Sequence, residues 1–328
     1  MGRPPSVAEV REPERRPGEA LVRIRAAALN PVELHIWNGH FFDGPPQPPY
    51  VIGLEGVGVV MDGERFAPGT RVRVEFVHPG YGRDGAVAEY AVAPEEPDAS
   101  ERASQASVAA IGDSLSDTEA AALGVPVFTA LMCLERAQRA GASLQGAHVL
   151  VTAATGAVGA VAVQLAKLMG AARVVAAGRN RERLERALSL GADATVELGD
   201  GVTAAELRDR FSEAAAGRLD VALDPLWGNP ARAAIDALTR DGVYVSFGQA
   251  ASPIAELSGI PMRNRRATVV GHSGAWVTPQ ERRAALARAF QVAGGRLTLD
   301  TEELALDEIG DGWGRLSRSA GRRLVVKP

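Results

Sequence analysis

Polar and apolar residues alternate over 20–30 (ALVRIRAAALN) and then run apolar, the two-residue period of a half-buried strand. Residues 51–60 (VIGLEGVGVV) and 70–75 (TRVRVE) predict two more strands, with Gly and Pro filling 43–49 and 79–85 as turns. The first third therefore reads as a β-rich unit whose loops carry His35, His40 and His78. Near residue 116 the period changes. Ser116-Asp117-Thr118-Glu119 is a capping-box sequence, and an apolar helical run follows to about residue 137. Strands then alternate with helices. Strands are expected at 148–152, 173–177, 194–197, 221–223 and 243–247, and helices at 157–169, 181–190, 203–216 and 230–239. That alternation predicts an α/β unit with a parallel sheet covered by helices on both faces. The tail adds a strand at 267–271, a helix opened by Thr278-Pro279-Gln280-Glu281, and a strand at 322–327.

Residues 149–166 carry no charge and are long enough for a membrane span. Gly156 and Gly159 interrupt them after a β-rich stretch, so a strand, a turn and a helix describe the segment better. Ala153, Gly156 and Gly159 then fall at the A-x-x-G-x-x-G spacing of a dinucleotide turn. Gly156 lets backbone amides approach a pyrophosphate, Gly159 lets the helix lie close to the strand, and the helix N-terminus supplies N–H groups and a positive dipole end. Thr155, Gly156, Ala157, Val158 and Gly159 are the resulting cofactor candidates. An NAD site places an acid after the second strand to accept from the ribose 2′-OH. This chain has Gly178 and then Arg179. A small residue and an arginine favour a 2′-phosphate, so NADPH is expected, with Arg179 its clamp and Arg181 and Arg183 solvated helix charges.

The chain has 328 residues, a length that suggests about two domains. A net charge of −4 gives no basic field for nucleic acid or an anionic membrane. The N-terminus is polar and Pro-rich, without the apolar stretch of a signal peptide, so the cytoplasm is expected. Cys133 is the one cysteine, which excludes an internal disulfide and any site with two cysteine ligands; five histidines leave a histidine/carboxylate metal site open by count. All basic residues but Lys167 and Lys327 are Arg, so a lysine base or Schiff base has almost no candidates.

These motifs occur in one order along nearly the whole chain: Asn30-Pro31-Val32-Glu33, Gly53-x-Glu55-x-x-Gly58-x-Val60, AVAEYAV at 86–92, GVPVFTA at 124–130, the ATGAVG turn, Val245-Ser246-Phe247-Gly248 and residues 321–328. In that order they resemble a medium-chain dehydrogenase/reductase of the zinc-free quinone oxidoreductase branch. The resemblance implies a GroES-like catalytic domain over 1–118, a Rossmann dinucleotide-binding domain over 119–272, and a return to the catalytic domain over 273–328. It places the nicotinamide in a cleft between the domains. It also implies a first strand that this sequence lacks before Pro4, and a homodimer.

Zinc-dependent relatives hold catalytic zinc at positions that match Asn30, Leu54 and Val125, none of which keeps its ligand; the four-cysteine structural lobe is absent too. No metal site is expected. Without a Lewis acid, reduction of a conjugated system is favoured over direct ketone chemistry. Phe41 stands where enoyl reductases of the superfamily carry a tyrosine, and His35 where quinone oxidoreductases often do. The resemblance makes Asn30 and Thr129 contacts of the nicotinamide end, adds Phe247 and Gly248 to the cofactor site, and leaves Asn30 and His35 as catalytic candidates. His35 has the chemistry of a ribose partner or a proton donor, or is a structural loop residue. The expected activity is NADPH-dependent hydride transfer to a quinone or an α,β-unsaturated carbonyl, with Phe41 and Phe42 as part of an apolar pocket wall. The alternatives are a dedicated biosynthetic enoyl or enone reductase and a non-catalytic NADPH-binding protein.

Overall fold

The computed structural model describes residues 4–40, 44–96, 106–293, 295–318 and 321–328; Phe41 and Phe42 lie outside them. In chain order come β1 (Glu19–Ala28), α1 (Pro31–Trp37), β2 (Glu55–Asp62), β3 (Arg71–Phe76), β4 (Tyr90–Pro94) and β5 (Ala106–Ala110). Next are α2 (Asp117–Ala122), α3 (Gly124–Arg139), β6 (His148–Val151), α4 (Ala157–Leu168), β7 (Arg173–Gly178), α5 (Arg181–Ser189) and β8 (Ala194–Glu197). Then follow α6 (Ala204–Ala214), β9 (Val221–Asp224), α7 (Gly228–Ala237), β10 (Val243–Ser246), α8 (Gly259–Arg265) and β11 (Thr268–Gly271). The chain closes with α9 (Pro279–Ala293), β12 (Thr301–Ala305), α10 (Ile309–Ser317) and β13 (Arg323–Lys327). Two compact units result. The first comprises Met1–Val125, Val277–Ala284 and Thr298–Pro328, and the second Pro126–Trp276 and Ala285–Leu297. Among the described residues no helix is long and apolar enough to cross a membrane.

The first unit is built on a seven-stranded sheet in the order β12-β13-β1-β2-β3-β5, with β4 also on β1. β1 shows the predicted alternation: Ala20, Val22 and Ile24 are buried, while Arg23 and Arg25 face out. Its inner face joins Val60, Val72, Val74, Val108 and Leu324 in one apolar cluster. The short helices α1 and α10 seal that cluster through Trp37 and Trp313, which pack edge to face at 6.0 Å.

The helix expected from Ser116 to about residue 137 is two helices. Ser116 and Glu119 form the predicted capping box of α2, but α2 ends at Ala122 and α3 starts at Gly124. The break frees backbone groups that buried side chains then satisfy. Arg73 Nη1 donates to the Ala120 carbonyl at 2.6 Å, Arg323 Nε to the Ala122 carbonyl at 3.3 Å, and the Val125 amide donates to Glu55 at 2.8 Å. Gly124 is required there, because a Cβ would fall on the Arg73 guanidinium.

The second unit carries a six-stranded sheet, all parallel, in the order β11-β10-β9-β6-β7-β8. From β6 the chain winds outward through β7 to β8, returns beside β6 with β9, and winds the other way to β11. This is the doubly wound order in which a ligand lies outside the carboxyl ends of the strands where winding reverses. Here the reversal falls between β6 and β9. The apolar segment 149–166 resolves into β6, a turn and α4, as its glycines imply.

Candidate functional site

At the reversal point of the second unit, β6 ends in a turn over 152–156 that feeds α4. Gly156 is the N-cap of α4 and is exposed. The first N–H groups of a helix have no partner within it, so Ala157, Val158 and Gly159 present amides and the positive dipole end at this edge. Gly159 is required by packing: a Cβ there would meet the Ala153 carbonyl oxygen at 2.4 Å and the Ala154 Cα at 2.6 Å. Ala153 itself adopts φ 49°, the left-handed turn that brings the chain back onto the helix start.

The neighbouring strand ends complete the edge. Gly178, at the end of β7, is buried against Thr155, where a Cβ would be 2.8 Å from the threonine methyl. Arg179 follows, exposed and without an ion pair among the described residues. Phe247 is half-buried, and its amide donates to the Asp224 carbonyl at 3.0 Å. Exposed Gly248 passes so close to Pro225 that a Cβ would meet its carbonyl oxygen at 2.6 Å. The structure thus gathers Thr155, Gly156, Ala157, Val158, Gly159, Gly178, Arg179, Phe247 and Gly248 along one carboxyl edge. Thr129 is half-buried on α3 in the same unit.

The sequence reading missed the residue that ties this edge together. Asp224, fully buried at the end of β9, accepts from the hydroxyls of Thr152 and Tyr244 and from the amides of Leu226 and Trp227, the last at 2.8 Å. Burial pushes its carboxyl up, and those four donors pull it back down. By accepting from its amide, Asp224 also holds Trp227 at φ 61°, a backbone region that costs a non-glycine residue about 1–3 kcal/mol. The available signal was a charge closing the buried run Val221-Ala222-Leu223.

The first unit holds a buried polar cluster around Asn30. Glu55, fully buried on β2, accepts from Arg73, Arg323, the Asn30 amide at 3.2 Å and the Val125 backbone amide. Asn30 also donates to the Ala28 carbonyl at 3.1 Å and accepts from Arg323 at 2.9 Å, so its side chain is committed inside the unit. Burial lowers the Arg323 pKa, while Glu55 and Glu33 support its charge. Arg73 reaches Glu75 at 3.1 Å, and Arg282 lies 3.8 Å from the same carboxylate. His35 is exposed on α1, as is His40 just beyond it. His78 is buried beside Tyr81, their rings 6.0 Å apart. Cys133 is buried on α3, and burial raises its thiol, leaving it to packing.

Glu33 sits at the rim of this cluster. It is 4% exposed, and one carboxyl oxygen accepts from the Asn30 backbone amide at 3.0 Å. The other oxygen, Oε2, makes no hydrogen bond of good geometry. Burial pushes the carboxyl up to about 7, against the pull of Asn30, Arg323 and the Leu54 amide.

These residues do not fit a catalytic zinc. Of the three positions that match zinc ligands, Leu54 has no donor atom, Asn30 spends its amide on four neighbours, and Val125 offers only a backbone amide already bound to Glu55. Among the described residues no three His, Cys, Asp or Glu side chains are grouped to hold a metal ion.

Two family models match the chain: the alcohol dehydrogenase GroES-like domain over residues 16–99 and the zinc-binding dehydrogenase domain over 157–291. Among curated relatives, the zinc-type alcohol dehydrogenase-like protein C337.11 of Schizosaccharomyces pombe is 35% identical over 48% of this chain and 44% of its own length. The putative quinone oxidoreductase YhfP of Bacillus subtilis is 32% identical over 46% of this chain and 43% of its own. The matches thus span less than half the length of these two relatives. Among solved structures, the quinone oxidoreductase of Thermus thermophilus, determined also in complex with NADPH, superposes with a TM-score of 0.75 at 28% identity, covering 98% of this chain and 95% of that one. The GroES-like and parallel-sheet units, the ordered motifs and these likenesses agree: the chain belongs to the medium-chain dehydrogenase/reductase superfamily, in its quinone-oxidoreductase-like branch.

Proposed function

We propose that this chain binds NADPH and uses it to reduce a quinone or an activated enone. The observation that carries the reading is the glycine turn at the reversal point of the second unit, bordered by Gly178 and by an Arg179 that has no ion pair among the described residues. Bound NADPH supplies a hydride. The amides of Ala157, Val158 and Gly159 hold the pyrophosphate, and Thr155 and exposed Gly156 leave it a close approach. Arg179 meets the 2′-phosphate with a charge-assisted fork where an acid would repel it. Phe247 and Gly248 line the same edge and Thr129 of the same unit serves the nicotinamide end, whereas the Asn30 side chain spends its hydrogen bonds within the first unit, on Ala28, Glu33, Glu55 and Arg323. His35, exposed on α1, serves the ribose or a proton. The NADPH complex of the similar T. thermophilus enzyme supports the choice of cofactor.

The misfit of Asn30, Leu54 and Val125 to a metal supports the acceptor class. The charge that develops on substrate oxygen is then best met by delocalisation and hydrogen-bond donors. We also propose a homodimer; β11 pairs with β10 on one side and with no strand on its other side among the described residues.

The test is NADPH and NADH oxidation against a panel of quinones, enones and enoyl thioesters. The expected result is turnover of quinones or enones with NADPH preferred. Turnover of a single enoyl substrate assigns a dedicated biosynthetic reductase instead. Stoichiometric NADPH binding without oxidation by any acceptor assigns a non-catalytic binder, and failure to bind NADPH overturns the reading. Light scattering at several concentrations checks the dimer.

A further inference from the structure

Within the second unit the two halves of the parallel sheet meet between β6 and β9, and one buried carboxylate bonds to both. Asp224 closes β9. Its Oδ1 accepts from the hydroxyl of Thr152, the residue after β6, and from the Leu226 amide at 3.2 Å. Its Oδ2 accepts from the Tyr244 hydroxyl of β10 and from the Trp227 amide at 2.8 Å. The last backbone rung between the halves runs from the Thr152 amide to the Leu223 carbonyl at 3.0 Å. Past that rung the link is made by side chains, the Thr152 hydroxyl on Asp224.

On the far side of the link the loops after β9 and β10 are tied into one body. The Asp224 carbonyl accepts from Phe247, the Pro225 carbonyl from Ala250 and the Leu226 carbonyl from Ala251, at 2.8–3.0 Å. Gly248 lies against the Pro225 carbonyl, and the rings of Trp227 and Tyr244 are 6.1 Å apart. In a doubly wound sheet each half carries one mononucleotide of a dinucleotide, which crosses where the winding reverses. The NADPH reading puts the pyrophosphate on the start of α4 and the 2′-phosphate on Arg179 after β7. That leaves the nicotinamide half to the loops that Asp224 ties. We propose that Asp224, bonded to Thr152, fixes the nicotinamide half of the cofactor site against the adenine half. It is a positioning residue for the hydride donor and does not touch it. This role rests on the NADPH reading.

The chemistry of the four donors explains why an acid stands here. Backbone amides can only donate, and one meets each oxygen. Burial, and then Asp224 itself, push the Tyr244 phenol well above its ordinary range, so it stays a donor at any working pH. An asparagine has one acceptor oxygen and would turn an NH₂ group on the remaining donors. Trp227 keeps its disfavoured backbone only while its surroundings hold it there. With a bond to Asp224 lost, the loop relaxes and takes Phe247 and Gly248 with it. A shift of about 1 Å is enough to spoil hydride geometry.

The test compares two ligands by calorimetry: NADPH, and adenosine 2′,5′-bisphosphate, which is its adenine half alone. Thr152→Val deletes the hydroxyl between the halves and keeps the shape. It is expected to weaken NADPH about 10-fold, the worth of one such bond, and to leave the bisphosphate within about twofold of wild type. Thr152→Ser keeps a hydroxyl and is expected to recover most of the NADPH affinity. Equal losses of both ligands mean that the bond serves only stability, and overturn the proposal; so does a variant that binds both as wild type does. Wild type that binds NADPH but not the bisphosphate overturns it too, because the adenine half is then no site by itself. Should Thr152→Val fail to fold, Asp224→Asn is read by the same split. If wild type binds neither ligand, the NADPH reading itself falls, and this role with it.

Discussion

Glu33→Gln makes a prediction that needs no substrate. A carboxyl whose pKa rises on folding binds its proton more tightly in the native state than in the unfolded chain. For Glu33 the ordinary value is 4.5 and the folded value about 7. Below 4.5 both states are protonated and the group is neutral in its effect on stability. Between 4.5 and 7 the unfolded chain ionises first, so stability falls as pH rises; above 7 the loss is complete. At 1.36 kcal/mol per pKa unit the full loss is about 3 kcal/mol. Gln keeps an acceptor for the Asn30 amide and has no charge to bury, so its stability lacks this slope. The assay is urea unfolding of both proteins from pH 4 to 8, followed by hydrogen exchange in peptides covering β1, α1, β2 and β3, which report the first unit. The wild-type and variant curves are expected to separate by about 3 kcal/mol between the ends of that range, with the variant gaining as pH rises. Parallel curves refute the argument, because they mean that Glu33 ionises at its ordinary pH despite its burial.

Three further predictions bear on the site. Arg179→Ala is expected to weaken NADPH binding about 10–100-fold, the worth of one charge-assisted contact, and to leave NADH binding unchanged; equal losses in titration calorimetry remove the phosphate clamp. Gly159→Ala puts a methyl 2.4 Å from the Ala153 carbonyl, so it is expected to destabilise the second unit by about 1–3 kcal/mol and to weaken NADPH binding; a variant with wild-type Tm and affinity would show that the turn moves freely. Metal analysis of protein purified without chelators is expected to find well under one zinc per chain, and one bound zinc per chain overturns the assignment of Asn30, Leu54 and Val125 as non-ligands.

Features set by residues close together in the chain were legible. The alternation in β1, the capping boxes at Ser116 and at Thr278, and the strand–turn–helix around Gly156 all appear where the spacing places them. Short helices whose own sequence argues against them were not. α10 (IGDGWGRLS) has three glycines in nine residues, and α1 spans only seven; both depend on the packing of Trp37 on Trp313, which no local pattern encodes. The helix break at Leu123 escaped for the same reason, since it answers to Arg73 and Arg323.

The sequence alone therefore determined the two architectures, the dinucleotide turn, the arginine where an acid would stand, and the want of cysteine ligands. Each of these is a matter of residue type and short-range spacing. Only the tertiary structure decided which charges are buried and how far each is satisfied. Glu55 meets Arg73 from 18 residues away and Arg323 from 268, and Asp224 meets Thr152 from 72. Glu33 lies in a motif visible from the start, yet its half-satisfied carboxyl exists only because Tyr50, Leu54 and Trp313 close over it. Desolvation depends on everything packed around a group, and that sum is written in space, not along the chain.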